Sequence, residues 1–536
     1  MTGWDCIVVG AGSAGSVLAS RLAAGSGARV LLLESGPDRS DDEAPDHPLR
    51  SASTLVLKGH NWDHRVNLRS SSAREDLLAG RLTAAGAPAA RALYARFPYA
   101  LGRGVGGSSA VNGAVALRAL PRDFGQWVRE GNTDWSWGSV LPFYRRLEHD
   151  PGAAGSDGDG DELHGVGGPV PITRTEEINA LDAAFLAACV QLGIPERKDL
   201  NDGSEAGVGP VPTNSVDGVR MDASSTHLAP ARRLPNLEVR ANTDVMRVVV
   251  EQGRVAGVDV LTGTGSQFLP ADRVILSAGA IGSPQVLLRS GIGDPALCRA
   301  LGIAAVAELP GVGEGLSDHV SVVIWAVPRA GVGSPSPRWR DVLARLSSGY
   351  DEQTDLQVGL LNNVDTSAIP GFAGRLRGGA LGMSVMLMRP ESRGRVFLRS
   401  ADPAVPPVVE LGLCSAPEDL DRLAGGVRAA WELLHAPGIG EHIDSVQFWS
   451  ARTLNDAAVL RSGIRNIANP GWHAVGTARM GPAADPAAVV DQRCRVHGVA
   501  GLSVVDASVF PSIPSTPTNL TTMMLAERIA KEMLTS

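Results

Sequence analysis

The chain has 536 residues, more than one simple hydrophobic core accommodates, so two lobes are expected. Its 44% hydrophobic and 20% charged residues are those of a globular protein, and a formal net charge of −8 argues against nucleic-acid binding, which needs a basic surface. The cysteines (Cys6, Cys189, Cys298, Cys414, Cys494) are widely spaced with no CxxC, which argues against a metal knuckle or a disulfide framework and for buried apolar thiols.

No basic and apolar leader precedes the first strand pattern and no apolar run has transmembrane length, so a cytoplasmic location is expected. Residues 4–36 read as strand, glycine turn, helix, strand. The uninterrupted apolar runs Cys6–Val9 and Val30–Leu33 fit parallel strands covered on both faces, and Val17, Leu18 and Leu22 stripe the helix between them. The turn is Gly10-Ala11-Gly12-Ser13-Ala14-Gly15. Its first glycine makes the turn, its second lets backbone N–H groups reach a pyrophosphate, and its third lets helix and strand pack closely. Glu34 ends the second strand, where a carboxylate accepts hydrogen bonds from a ribose diol. This unit serves NAD as well as FAD.

A second small-residue stretch, Gly102 to Gly113, holds Gly106, Gly107, Ser108 and Asn112, and its closely spaced N–H groups suit an anionic ligand edge. The Gly/Asp run at 152–161 reads as a flexible loop at a lobe boundary. Strands are expected at Leu237–Val239, Val245–Val250, Val255–Val260 and Val274–Leu276, then a helix at Pro284–Arg289. Residues 382–398 read as strand, turn, strand flooring a second lobe, and a last helix runs from Thr518 to Leu534.

Together these segments resemble the glucose–methanol–choline (GMC) oxidoreductases. Gly104–Asn112 is similar to the family's first signature, and Gly279-Ala-Ile-Gly-Ser283-Pro284 through Gly293 to its second. The loop Leu309–His319, the segment Gly471-Trp472-His473 through Gly481, and Val504–Asn519 complete the match in the family's order. The resemblance implies an α/β fold: a Rossmann-like FAD-binding domain from residues 1–160, 206–320 and 462–536, interleaved with a substrate domain from 161–205 and 321–461 built on a mostly antiparallel sheet. It places Gly10, Gly12, Ser13, Ala14 and Gly15 on the pyrophosphate and Glu34 on the adenosine ribose. Gly106, Gly107, Ser108 and Asn112 fall along the pyrophosphate and ribityl side, Val245 at adenine, and Asp506 and Ala507 near the pyrophosphate and ribityl chain. Tyr99 stands where some members tether FAD through a histidine, so non-covalent FAD is expected. Gly315 and Ser317 depart from the Asn and Gln common in the loop before His319, which leaves that loop's contacts open.

Alcohol oxidation removes a hydroxyl proton as hydride leaves, and His473 is the candidate base. The resemblance gives Asn519 the second catalytic position, where an amide orients the substrate hydroxyl without titrating; a helix N-cap is its structural alternative. The N-terminus of the last helix, at Pro517 and Asn519, would stabilise negative charge on reduced flavin. His319 reads as structural and His164 as a loop residue; His60, His64, His442 and His497 carry no constellation, and no cluster has metal-ligand spacing. The expected activity is oxidation of a primary or secondary alcohol, with oxygen or a carrier as acceptor. The His/Asn pair resembles choline and hydroxymethylfurfural-oxidizing members, and the 4% aromatic content leans from choline toward an aryl or furanic alcohol. A hydroxynitrile-lyase-like enzyme with non-redox FAD and a non-catalytic flavoprotein are the alternatives.

Overall fold

The computed structural model describes residues 3–39, 47–53, 59–81, 97–153, 163–329, 332, 339–350, 354–364 and 380–535. The Gly/Asp loop expected at 152–161 lies, from residue 154 on, outside them.

The first lobe is organised by a five-stranded parallel sheet in the order Leu237–Arg240, Val30–Leu33, Cys6–Val9, Val274–Leu276, Leu502–Val504. The three central strands are buried along their whole length, as a sheet covered on both faces requires. The crossover helix Ser13–Gly25 buries Val17, Leu18 and Leu22, the stripe read from the sequence. Two segments nearly five hundred residues later complete this lobe: the edge strand from residue 502 and the last helix, Asn519–Thr535. That helix lies against Ser13–Gly25, and its buried Glu527 pairs with Arg21 at 2.7 Å and His227 at 3.2 Å.

The second lobe is built on an antiparallel sheet in the order Ile443–Val446, Val320–Pro328, Ala380–Leu387, Thr354–Val364, Val342–Ser347, Gly207–Pro210, with Asn469–Pro470 beside Val320 and Ser321. Alternation assigns its faces. Val320, Val322, Ile324, Leu387, Val385, Met383, Leu356 and Val358 form one core with Leu423, Val427 and Leu434 of the helix Pro417–His435. Ser321, Gln357 and Ser384 sit on the opposite face, by the register that pairs Ser321 with Met386 and Met386 with Gln357.

The helix expected from Pro284 begins at Gly279, with the proline in its interior. Proline there removes the N–H that would bond the carbonyl of Ala280. The hydroxyl of Thr477 donates to that carbonyl instead, at 2.6 Å, so a partner nearly two hundred residues away makes the proline tolerable.

His164 lies in irregular backbone, as expected of a loop residue, but it does not face solvent. It is buried, with Nε2 at 2.9 Å from Asp199 and Nδ1 near Glu148 and Asp150. Glu148, Asp150 and His164 bring ligand-type atoms within 4.8 Å of one another, a convergence invisible in the spacing. Arg118 and Arg174 already hydrogen-bond these carboxylates, so the cluster is a charge network. Burial works against the imidazolium, but hydrogen bonds to Asp150, Asp199 and Glu148 prevail and raise its pKa to about 10. A folded-state pKa above the unfolded one gives stability that is complete below about pH 6.5 and lost as pH rises toward 10. The unfolding midpoint of the protein should therefore fall across that window, and His164→Gln should flatten the slope; an equal slope in both proteins would contradict the assignment.

Candidate active site

Two glycine turns meet at the carboxyl ends of Cys6–Val9 and Val30–Leu33. Gly10 has φ +98°, and a Cβ there would stand 2.5 Å from the carbonyl oxygen of Ser277; one on Gly15 would stand 1.8 Å from the carbonyl oxygen of Gly10. A Cβ on Gly107 would meet the Cα of Gly12 at 2.6 Å, and the N–H of Gly106 donates to the carbonyl of Ala11 at 2.8 Å. The two turns are therefore one cradle. Gly12 caps the helix Ser13–Gly25 without a side-chain hydrogen bond, which leaves the first-turn N–H groups, including those of Ser13 and Ala14, for an anion.

Glu34 is buried and staples the cradle: it accepts N–H bonds from Ala11 at 2.9 Å, Gly36 at 2.8 Å and Gly104 at 3.1 Å. A carboxylate has about four acceptor sites, so room for a ribose hydroxyl remains. Thr243 donates its N–H to the carbonyl of Glu34, and Val245 follows two residues later in the strand Asp244–Glu251. Ser108 accepts from the N–H of Gly102 at 3.3 Å, and the amide oxygen of Asn112 accepts from Ala114 N–H at 2.8 Å and from Arg220 at 3.0 Å.

Asp506 caps the short turn Ala507–Val509 through the N–H of Ser508 at 2.8 Å, and also accepts from Gly279 N–H at 2.9 Å. The carbonyls of Ala507, Ser508 and Val509 receive the N–H groups of Gly476, Ala478 and Met480. This pairing lays the His473 segment along the C-terminal segment.

Asn519 is the first residue of the last helix, and its amide oxygen accepts from the hydroxyl of Ser13 at 2.7 Å. The structure thus brings Asn519 to the glycine cradle, which no local pattern announced. Its Nδ2 lies 3.8 Å from the sulfur of Met523.

His473 is partly enclosed. Its Nδ1 lies 2.9 Å from Nδ1 of His319, whose Nε2 lies 2.9 Å from the carbonyl oxygen of Pro514. That carbonyl only accepts, so His319 carries its proton on Nε2. Burial and the neighbouring His473 hold His319 well below its usual pKa, so it is neutral and its Nδ1 has a lone pair. His473 must then donate Nδ1–H to His319, which leaves a lone pair on Nε2. Burial lowers the pKa of His473 to about 4, so the ring is neutral at ordinary pH. His319 was expected to be structural; it is the partner that fixes the tautomer of His473. The loop before it, including Ser317, is held by a backbone bridge to Val475.

Tyr99 is buried, and its hydroxyl donates to Asp318 while accepting the N–H of Ala474 at 3.2 Å. Trp472 is 38% exposed and takes φ +60°, a left-handed backbone that a bulky residue seldom adopts.

A parallel sheet opening on a double-glycine cradle, with a neutral histidine supplied from the far end of the chain, has the build of a dinucleotide-dependent oxidoreductase. The GMC oxidoreductase family models match residues 4–321 and 390–526, and the chain belongs to that family. It is 35% identical to a 5-(hydroxymethyl)furfural oxidase of Methylovorus sp. (strain MP688), over 99% of both chains. It is 32% identical to an oxygen-dependent choline dehydrogenase of Xanthomonas euvesicatoria pv. vesicatoria (strain 85-10), over 99% of this chain and 95% of that one. Among solved structures, pyridoxine 4-oxidase from Mesorbium loti superposes with a TM-score of 0.85 at 28% identity, over 99% of both chains. Among the described residues no helix is long and apolar enough to cross a membrane.

Proposed function

We propose that this chain is an FAD-dependent oxidase or dehydrogenase that converts a primary or secondary alcohol to the aldehyde or ketone. The observation that carries the reading is the hydrogen-bond chain from Pro514 through His319 to His473, which leaves a neutral imidazole with its Nε2 lone pair free to take a proton. FAD fits the double-glycine cradle, with the pyrophosphate at the N–H groups of Gly12, Ser13 and Ala14, Gly107 packed against Gly12, and the ribose at Glu34. When bound, it supplies the hydride acceptor.

In this reading His473 accepts the hydroxyl proton at Nε2 as the α-hydride departs. The new positive charge is shared with His319 through the Nδ1–Nδ1 hydrogen bond. Asn519 commits its oxygen to Ser13, so Nδ2–H is what it offers, and we assign that donor to the cofactor side of the site. Val245, Ser108, Asn112, Asp506 and Ala507 complete the cradle's outer wall. The similarity to the furfural alcohol oxidase favours an aryl or furanic primary alcohol as substrate. Electrons leave to oxygen or to a carrier. Anaerobic bleaching of the flavin band by such an alcohol tests the reading.

Tyr99 directs its hydroxyl to Asp318 and Ala474 and offers no nucleophilic nitrogen, which supports non-covalent FAD. Acid precipitation should release all flavin into the supernatant. Yellow colour retained in the washed pellet would contradict this.

A further inference from the structure

The backbone around His473 is irregular in a way that the base alone does not explain. Gly471 donates its N–H to the carbonyl of His319 at 2.8 Å, and Val475 and Ser317 exchange N–H bonds at 2.9 and 3.1 Å. Between these points Trp472, His473 and Ala474 stand opposite the single residue Asp318. This is a bulge in a short antiparallel pairing, and its first residue takes the unfavourable φ of +60°. The surrounding structure must hold such a conformation in place.

We propose that Asp318 and Tyr99 form a buried clamp that positions His473 for proton removal. The inference rests on the alcohol-oxidizing reading of the site. One carboxylate oxygen of Asp318 accepts the backbone N–H of His473 at 2.8 Å. The other accepts the hydroxyl of Tyr99, which in turn accepts the N–H of Ala474 at 3.2 Å. The clamp therefore grips two consecutive N–H groups of the bulge from beneath, and the imidazole is left above it in reach of His319. Tyr99 reaches the clamp from the strand Phe97–Tyr99, paired with His64–Val66, and is fully buried. Neither residue is placed to touch substrate; both are positioning residues.

Tyr99 is the titratable side chain on Asp318, and the backbone N–H groups of His473, His319 and Gly471 face the same carboxylate. Burial raises the Asp318 carboxyl to about 7, and the Tyr99 hydroxyl is the strongest opposing contact. Protonation removes the negative charge that accepts both donors, so the clamp loosens as pH falls through this value. Removing the Tyr99 hydroxyl destabilises the ionised carboxylate and raises that pKa further. Proton abstraction should then fail at a higher pH.

The test is stopped-flow reduction of the holoenzyme by 5-(hydroxymethyl)furfural without oxygen, from pH 5.5 to 9, in wild type, Tyr99→Phe and Asp318→Asn, with 15N spectra of histidine-labelled protein alongside. Tyr99→Phe should lower the reduction rate at pH 8 on the order of tenfold and move the acid limb upward by about one pH unit. Asp318→Asn, which cannot titrate, should lose the limb near neutrality. The spectra should record His473 as a single Nδ1–H tautomer in wild type and as a mixture in Tyr99→Phe. A rate lowered equally at every pH, with the limb unmoved, overturns the clamp, as do unchanged rates. If wild-type flavin is not reduced, the functional reading fails for this alcohol and the spectra alone decide: a mixed tautomer in Tyr99→Phe supports the clamp, and an unchanged one overturns it.

Discussion

His473→Ala should retain FAD and yet reduce it with alcohol roughly 10²–10⁴-fold more slowly, the usual contribution of a general base. The size of the loss follows from the surroundings of the ring. The lone pair on Nε2 exists because His319 is locked by the carbonyl of Pro514, and because burial keeps His473 neutral down to about pH 4. Among the described residues neither group beside it duplicates it: His319 has both nitrogens committed, and Asp318 faces backbone N–H groups and the Tyr99 hydroxyl. Flavin binding should persist because His473 takes no part in the glycine cradle. Stopped-flow absorbance measures both quantities on one sample. Near-normal reduction by the variant would remove His473 from the mechanism.

Gly15→Ala should yield protein without flavin. The added Cβ would lie 1.8 Å from the carbonyl oxygen of Gly10, and that obstacle is backbone, so no side-chain rotation relieves it. Either the helix Ser13–Gly25 retreats from the strand Cys6–Val9 or the turn opens, and both displace the N–H groups of the cradle. Affinity should fall by at least about a hundredfold, close to 2.7 kcal/mol by the relation of free energy to binding constant. Gly27→Ala is the matched control, because a Cβ there has nothing within 4 Å. The flavin-to-protein absorbance ratio after desalting separates the two; equal ratios would show that close packing at Gly15 is not required.

The cradle was readable in the sequence because its constraints are local. Gly10, Gly12, Gly15 and Glu34 lie within one strand–turn–helix–strand unit, where each spacing has a steric or hydrogen-bonding cause. The apolar runs of the parallel strands were readable for the same reason, since burial on both faces leaves no polar alternation to misread. The helix at Gly279 was read five residues late because a proline ordinarily opens a helix, and its remedy, Thr477, is remote. The contact of His319 with His473 is not legible in the sequence, because the two lie 154 residues apart and nothing adjacent to either signals the hydrogen bond between them. Asn519 was correctly placed at the start of the last helix, but its bond to Ser13 spans 506 residues and is set by how that helix docks on the first one. The charge network at His164 has the same origin: Glu148, Asp150, Asp199, Arg118 and Arg174 converge only in three dimensions.

Anaerobic mixing of the purified holoprotein with a panel of primary and secondary alcohols, aryl and furanic ones included, while the flavin absorbance is recorded, tests alcohol oxidation by this protein most directly. Bleaching by at least one alcohol, with the aldehyde or ketone formed in equal amount and colour restored by oxygen or an artificial carrier, is the predicted result. A flavin that stays oxidised with every alcohol would contradict the oxidoreductase reading and leave the non-redox uses of the same cradle.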